Sequence, residues 1–225
     1  MIFWSNNVPS TLQRKIGQVW RLKKLGMDAM YLRNRLFIGK NKKEAFQRLK
    51  QKVIDRLSGW KAKLLSAAGR GTLIRSVISS MPVYSMSTFM LPKSVSADLD
   101  KATRKFWWCG DAKVSRCWCP SSWDSICCPK SHGGLGFRRF YDLNRALVAK
   151  LGWFLQTEGH RLWVQALKQK YFPHSDFLQS SPPSSCSWGW KGILKCKEII
   201  LKGCCRKVGC HDSFDIWKEP WVLWL

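Results

Sequence analysis

Between residues 41 and 201 apolar residues return every three or four positions, the period of a helix with one buried face. Asn41 and Glu44 form a capping-box pattern ahead of the first such stretch. Phe46, Leu49, Val53 and Leu57 then mark its apolar side, with Ala45 and Ile54 beside them, and Gly59 ends it. Lys42, Lys43, Arg48, Lys50, Lys52 and Arg56 fill the other faces. A second helix is predicted over 67–81, with Leu73, Ile74, Val77, Ile78 and Met81 inside and Pro82 as its stop. A third starts near Ser94, buries Val95, Leu99, Ala102 and Phe106, and ends at Gly110. Residues 109–141 are rich in Cys, Pro and Gly and read as loop with short strand pieces. Asp142 is expected to cap a fourth helix with a stripe of Leu143, Ala146, Leu147, Lys150, Leu151 and Phe154. A fifth spans 161–171, with Leu162, Trp163, Ala166 and Leu167 inside. SSPPSSCS at 180–187 is the best linker candidate, a short helix follows at 193–201, and 206–217 read as a hairpin. The fold class is mainly α, with short strands or a hairpin near the C-terminus.

Composition narrows the class. Of the 225 residues 45% are hydrophobic and 24% charged, which excludes simple disorder. No apolar run approaches the length of a membrane span. The opening MIFWSNNVPS is no secretory signal, so the ten cysteines read as reduced thiols. The net charge of +25 is uneven, because residues 1–80 hold 18 Lys and Arg against three acids. A field of that sign attracts polyanions, and nucleic acid is the common one.

The chemistry-bearing residues are sparse. Asp98 and Asp100 are the one close acidic pair before the C-terminal tail, and on a helix they face different ways. Two-metal nucleotidyl chemistry needs converging carboxylates, and no such set is visible. GGLG at 133–136 lacks the Lys and Ser/Thr of a phosphate loop and reads as a turn. Cys109, Cys117, Cys119, Cys127, Cys128 and His132 form one possible zinc group; Cys196, Cys204, Cys205, Cys210 and His211 form another. Neither has paired CxxC knuckles, so no metal and no cofactor is expected. Among the fourteen tryptophans, Trp153 and Trp163 read as core, while Trp60 sits between Gly59 and Lys61, where it could stack on a base or pack between helices.

Several motifs together resemble the C-terminal part of plant non-LTR (LINE-type) retrotransposon reverse transcriptases. They are SNNVP at 5–9, KKEAF at 42–46, RLSGWKAKLLSAAGRGTLIRSVISSMPVY at 56–84, FMLP at 89–92 and FWW at 106–108. SWDSIC at 122–127, PKSHGGLGFRR at 129–139, LNRALVAKLGW at 143–153, KQKYFP at 168–173 and FDIWKEPW at 214–221 continue the order. YLRNR at 31–35 departs from the family's YLGxP, and Gly209, Cys210, His211 and Asp212 depart from its Gly-Asp-Gly turn.

The resemblance implies an end-of-palm remnant, poorly packed, at 1–40 and a thumb-like helical bundle at 41–108. A Cys/Trp-rich loop and helical connector follow at 109–185, and the truncated start of a zinc-binding-region-like segment at 186–225. The family's catalytic aspartates lie upstream, so no polymerase activity is expected of this chain alone. The alternatives are a part of an active reverse transcriptase/ribonuclease H polyprotein, or a pseudogene product. The expected partner is an RNA or DNA duplex or hybrid, held through phosphates by Lys42, Lys43, Lys61, Lys63, Arg70 and Arg75, with Trp60 among the nucleic-acid-binding residues. Neither a membrane nor a small-molecule substrate is expected, and the location is expected to be intracellular and nuclear.

Overall fold

A computed structural model describes residues 8–20, 25–26, 29–31, 34–35, 38–39, 41–59, 64–181 and 183–204. The chain divides into two units, 1–45 and 46–225. The first holds α1 (Ser10–Trp20), a two-stranded antiparallel pair of β1 (Met30–Tyr31) and β2 (Asn34–Arg35), and α2 (Lys42–Ala45). No residue of α1 is buried, although its sequence is amphipathic.

The regular elements described in the second unit are all helical: α3 (Gln47–Leu57), α4 (Ala67–Thr72), α5 (Val83–Met86), α6 (Lys93–Cys109), α7 (Trp123–Cys127), α8 (Phe140–Thr157), α9 (Leu162–Tyr171), α10 (Trp188–Lys195) and α11 (Lys197–Gly203). The mainly α class read from the spacing is therefore the observed one. The hairpin expected at 206–217 lies outside the described residues.

The helix expected to run unbroken from 42 to 57 is interrupted at Phe46. Phe46 is buried, with its ring 5.9 Å from that of Trp188, and its backbone leaves the helical region at φ −103° and ψ 3°. Beyond it, Val53 and Leu57 are wholly buried as α3 packs on α6. Complete burial of two such side chains is worth roughly 1.5–3 kcal/mol each. The second expected helix also changes form. After Thr72 it widens into a π-helix over Leu73–Ile78, whose bonds include Ser79 N–H to the Ile74 carbonyl. The β-branched Ile74, Val77 and Ile78 crowd a regular helix, and the Ser79 hydroxyl also donates to the Ile74 carbonyl at 2.9 Å.

α6 begins and ends as its sequence indicates, after Pro92 and at Gly110, which adopts the left-handed φ of 72°. That reversal brings the chain back on itself. Cys109 and Cys117 form a disulfide with their Cα atoms 6.3 Å apart, which corrects the expectation of reduced thiols at these two positions. The loop region contains α7 and a short 3-10 turn at Lys130–His132, with no strand.

Two buried faces differ from those expected. In α8 the buried residues are Phe140, Asn144, Val148, Ala149, Gly152 and Leu155, whereas Ala146 and Lys150 are exposed. α8 starts at Phe140, so Asp142 lies inside its first turn and is not its cap. Helices pack on several sides of α8, and small or hydrogen-bonded residues occupy the closest approaches. A Cβ on Gly152 would stand 2.7 Å from Ile200 and 3.1 Å from Phe177. In α9 Val164 is buried while Leu162 is 84% exposed, so the contact face is turned by one residue. Trp153, expected in the core, is 44% exposed.

A hydrophobic core gathers Val148, Leu155, Val164, Phe177, Trp190, Ile193 and Ile200. Trp190 stacks on Tyr171 at 4.5 Å and on Phe172 at 5.6 Å. The segment read as a linker thus joins two helices of one core, and Tyr171 donates its hydroxyl to Ser187 Oγ across it. No described helix is long and apolar enough to cross a membrane.

Replacing the fully buried Asn144 by Leu is expected to cost roughly 3–5 kcal/mol in urea denaturation, because it leaves two buried backbone groups and one partly buried one without a partner. A cost below about 1 kcal/mol would show that those hydrogen bonds do not matter.

Candidate nucleic-acid interface

The expected binding residues fall into three groups. Trp60, Lys61 and Lys63 lie outside the described residues. Lys42 and Lys43 lie in the first unit. The capping box forms there, with Glu44 N–H donating to Asn41 Oδ1 at 3.4 Å and Asn41 Nδ2 to Glu44 Oε2 at 3.3 Å. The helix it opens has only four residues, too short for the dipole that a phosphate would use. Lys42 Nζ donates to the carbonyls of Gly39 and Ile38, and Lys43 is exposed.

Arg70 and Arg75 are tied into the second unit. Arg70 Nη1 donates to the carbonyls of Trp107 at 3.1 Å and Trp108 at 3.5 Å, and its Nε to that of Leu65 at 3.1 Å. It thereby closes the C-terminus of α6, where exposed carbonyls and the negative end of the helix dipole favour a cation. Its guanidinium lies against Gly110, where an added Cβ would meet Nη2 at 3.2 Å. Arg75 donates to the Leu135 carbonyl at 2.8 Å and lies 5.1 Å from the centre of the Phe137 ring. Arg75 is exposed, so its remaining N–H groups face solvent.

The open cations stand on α3. Arg48, Lys52 and Arg56 are exposed at successive fourth positions, which sets steps of about 6 Å along one side of the helix. None of the three has a carboxylate partner among the described residues. Lys50, by contrast, turns inward to Asp98 at 2.6 Å. One acid, Asp55, shares the exposed side. Lys113 covers it at 3.0 Å, and hydrogen bonds from Lys113 and Gln51 hold its carboxyl below the usual range. The row therefore presents net positive charge. Its signal in the sequence was the four-residue spacing, which a solvated helix face shares.

Asp100 is a different kind of site. Burial raises its carboxyl to about 6, against the lowering effect of two hydrogen bonds. Both donors, Phe140 N–H at 3.2 Å and Trp123 Nε1 at 3.1 Å, meet the same oxygen, Oδ1. Asp100 thus caps α8 from across the fold. Beside it a cleft of about 450 Å³ is bordered by Cys127, Arg138, Arg139 and Leu143. Arg139 is engaged there by Asp124 at 3.2 Å. Burial, followed by the charge of Asp100, pushes the Cys127 thiol up to about 12, which makes it a poor nucleophile and a poor metal ligand. Among the described residues no three His, Cys, Asp or Glu side chains gather as a metal site.

No protein-family model matches the chain, and no solved structure matches it. Two plant relatives do. "Uncharacterized mitochondrial protein AtMg00310" of Arabidopsis thaliana is 32% identical over 146 residues, 64% of this chain and 94% of its own length. The chain belongs to the family of that mitochondrial protein. "Putative ribonuclease H protein At1g65750" of the same plant is 37% identical over 185 residues. That alignment takes in 80% of this chain and 29% of the relative, so the chain spans less than a third of that protein's length. Together the two support a retroelement-related protein.

Two outcomes follow from the site's electrostatics. A carboxyl near 6 in the fold and near 3.8 when unfolded stays protonated longer in the fold, so stability should fall as pH rises from about 4 to about 6. Asp100→Asn keeps Oδ1 as acceptor, so melting curves across that range should lose this dependence. At pH 7 the variant should gain roughly 1–2 kcal/mol, allowing for partial exposure. Arg70→Ala should cost about 2 kcal/mol by uncapping α6. An unchanged melting temperature would return Arg70 to the free cations.

Proposed function

We propose that this chain is a nucleic-acid-binding segment of a LINE-type reverse transcriptase, corresponding to its thumb and connector and lacking the catalytic palm. It holds an RNA or DNA duplex or hybrid through phosphates, with little sequence preference. The observation that carries this reading is the exposed row Arg48, Lys52 and Arg56 on α3, in a chain of net charge +25. A 6 Å step between cations is close to the separation of neighbouring phosphates on one strand. The core face of the same helix keeps Lys50 paired, so the free charge points one way. The motifs shared with the family support the enzyme class. Arg75, on the same unit, contributes a further phosphate contact, and Lys61 and Lys63 belong to the same proposal.

A second reading makes the chain part of a longer enzyme with ribonuclease H activity. It is supported by the 37% identity to a protein named for that activity, of which the chain matches 29%. The two readings share the binding role and differ in whether catalytic domains accompany it.

Titration of a labelled hybrid duplex at several salt concentrations tests the phosphate contacts. Each contact contributes about 0.9 to the slope of log affinity against log salt on a duplex. Arg48→Ala/Lys52→Ala/Arg56→Ala should lower that slope by about 2–3 with the melting temperature unchanged. An unchanged slope would remove α3 from the binding surface, and no binding at low salt would end the proposal.

A further inference from the structure

We propose that Trp118 is a stacking platform for an unpaired nucleobase, placed beside the cation row of α3. This rests on the nucleic-acid reading above and adds a preference for single-stranded or frayed ends. Trp118 is 82% exposed, the most exposed of the described tryptophans. An indole left in water forgoes a large apolar burial and is available to a flat partner.

The segment that carries Trp118 is held in place. Cys117 is linked to Cys109 at the end of α6, and its sulfur is within 3.8 Å of both the Lys105 carbonyl and the Cys119 sulfur. Lys105 Nζ also donates to the Val114 carbonyl at 2.7 Å. A side chain on an anchored loop loses less conformational freedom when a ligand orders it. The Lys113–Asp55 ion pair then ties this same loop to the exposed side of α3, at 3.0 Å. Trp118 lies five positions after Lys113, a reach of at most about 18 Å. Arg116, exposed and without a carboxylate partner among the described residues, lies two positions before Trp118 and adds a cation to the same loop.

Cations spaced for a phosphate backbone and an exposed aromatic face on a loop tied to the same helix are the two parts of a single-strand site. Every base has a π-face, so the site takes any base without reading its edge. A fully paired duplex keeps its bases stacked inside and offers Trp118 nothing but its terminal pair.

Fluorescence anisotropy separates the two contributions. The full chain is titrated at low salt with a labelled twelve-nucleotide oligothymidylate and, separately, with a twelve-base-pair duplex closed by hairpins at both ends. Trp118→Ala should weaken binding of the single strand by about tenfold or more, the usual effect of removing one stacking aromatic. The closed duplex should change by less than about twofold. Trp118→Phe should restore most of the single-strand affinity. Equal losses on both substrates, or no loss on the single strand, would overturn the platform and leave the α3 row intact. Absence of salt-dependent binding by the parent chain to either substrate would overturn the nucleic-acid reading itself.

Discussion

The side chain of Asn144 has no surface exposed to solvent and makes three hydrogen bonds to backbone groups of residues 86–91. Its Oδ1 accepts from Leu91 N–H at 2.7 Å, and its Nδ2 donates to the carbonyls of Met86 at 2.7 Å and Phe89 at 2.9 Å. The segment it holds is irregular after Met86, so it has no continuous helix to satisfy its polar groups. That segment also ends α5 and leads into α6, so fixing it against α8 fixes the start of α6 as well. Phe89 then stacks on Trp188 at 5.5 Å, and Leu91 enters the core.

The same device recurs at other helix ends. Asp100 reaches from α6 to cap the first turn of α8 and to take the Trp123 indole N–H. Arg70 reaches from α4 to close the last turn of α6. Arg75 pins the loop before α8. A helix end buried in a small, crowded bundle leaves carbonyls or amides that water cannot reach, and a side chain from elsewhere supplies the partner. One consequence reaches the chemistry. A basic chain contains many arginines, and the structure commits some of them to its own backbone. The charge left facing outward is sorted by this demand, and α3 keeps an uninterrupted row of it.

The helical class, the limits of α6 and the positive charge were legible in the sequence. Each depends on residues close together in the chain: the period of Val95, Leu99, Ala102 and Phe106, the left-handed turn that Gly110 allows, and a simple excess of lysine and arginine. The break at Phe46 was not legible, because it follows from a ring drawn toward Trp188, 142 positions away. Nor was the buried side of α8. Hydropathy ranks Asn144 and Gly152 as poor core residues, yet one is needed for its hydrogen bonds and the other for its missing Cβ.

For the candidate site the division is sharper. The sequence by itself determined that α3 is amphipathic and basic on its outer side, since a 3.6-residue period needs only local spacing. Only the tertiary structure decided which cations remain free. Lys50 meets Asp98 and Lys113 meets Asp55 across 48 and 58 residues, and Arg70 meets the end of α6 across 37. It also decided that Cys109 and Cys117 are joined, and that the tryptophan beside them faces solvent. The physical reason is that ion pairing, helix capping and burial are set by which groups come within a few ångströms of one another. Local periodicity specifies an element and its face, but not the neighbour that face will meet.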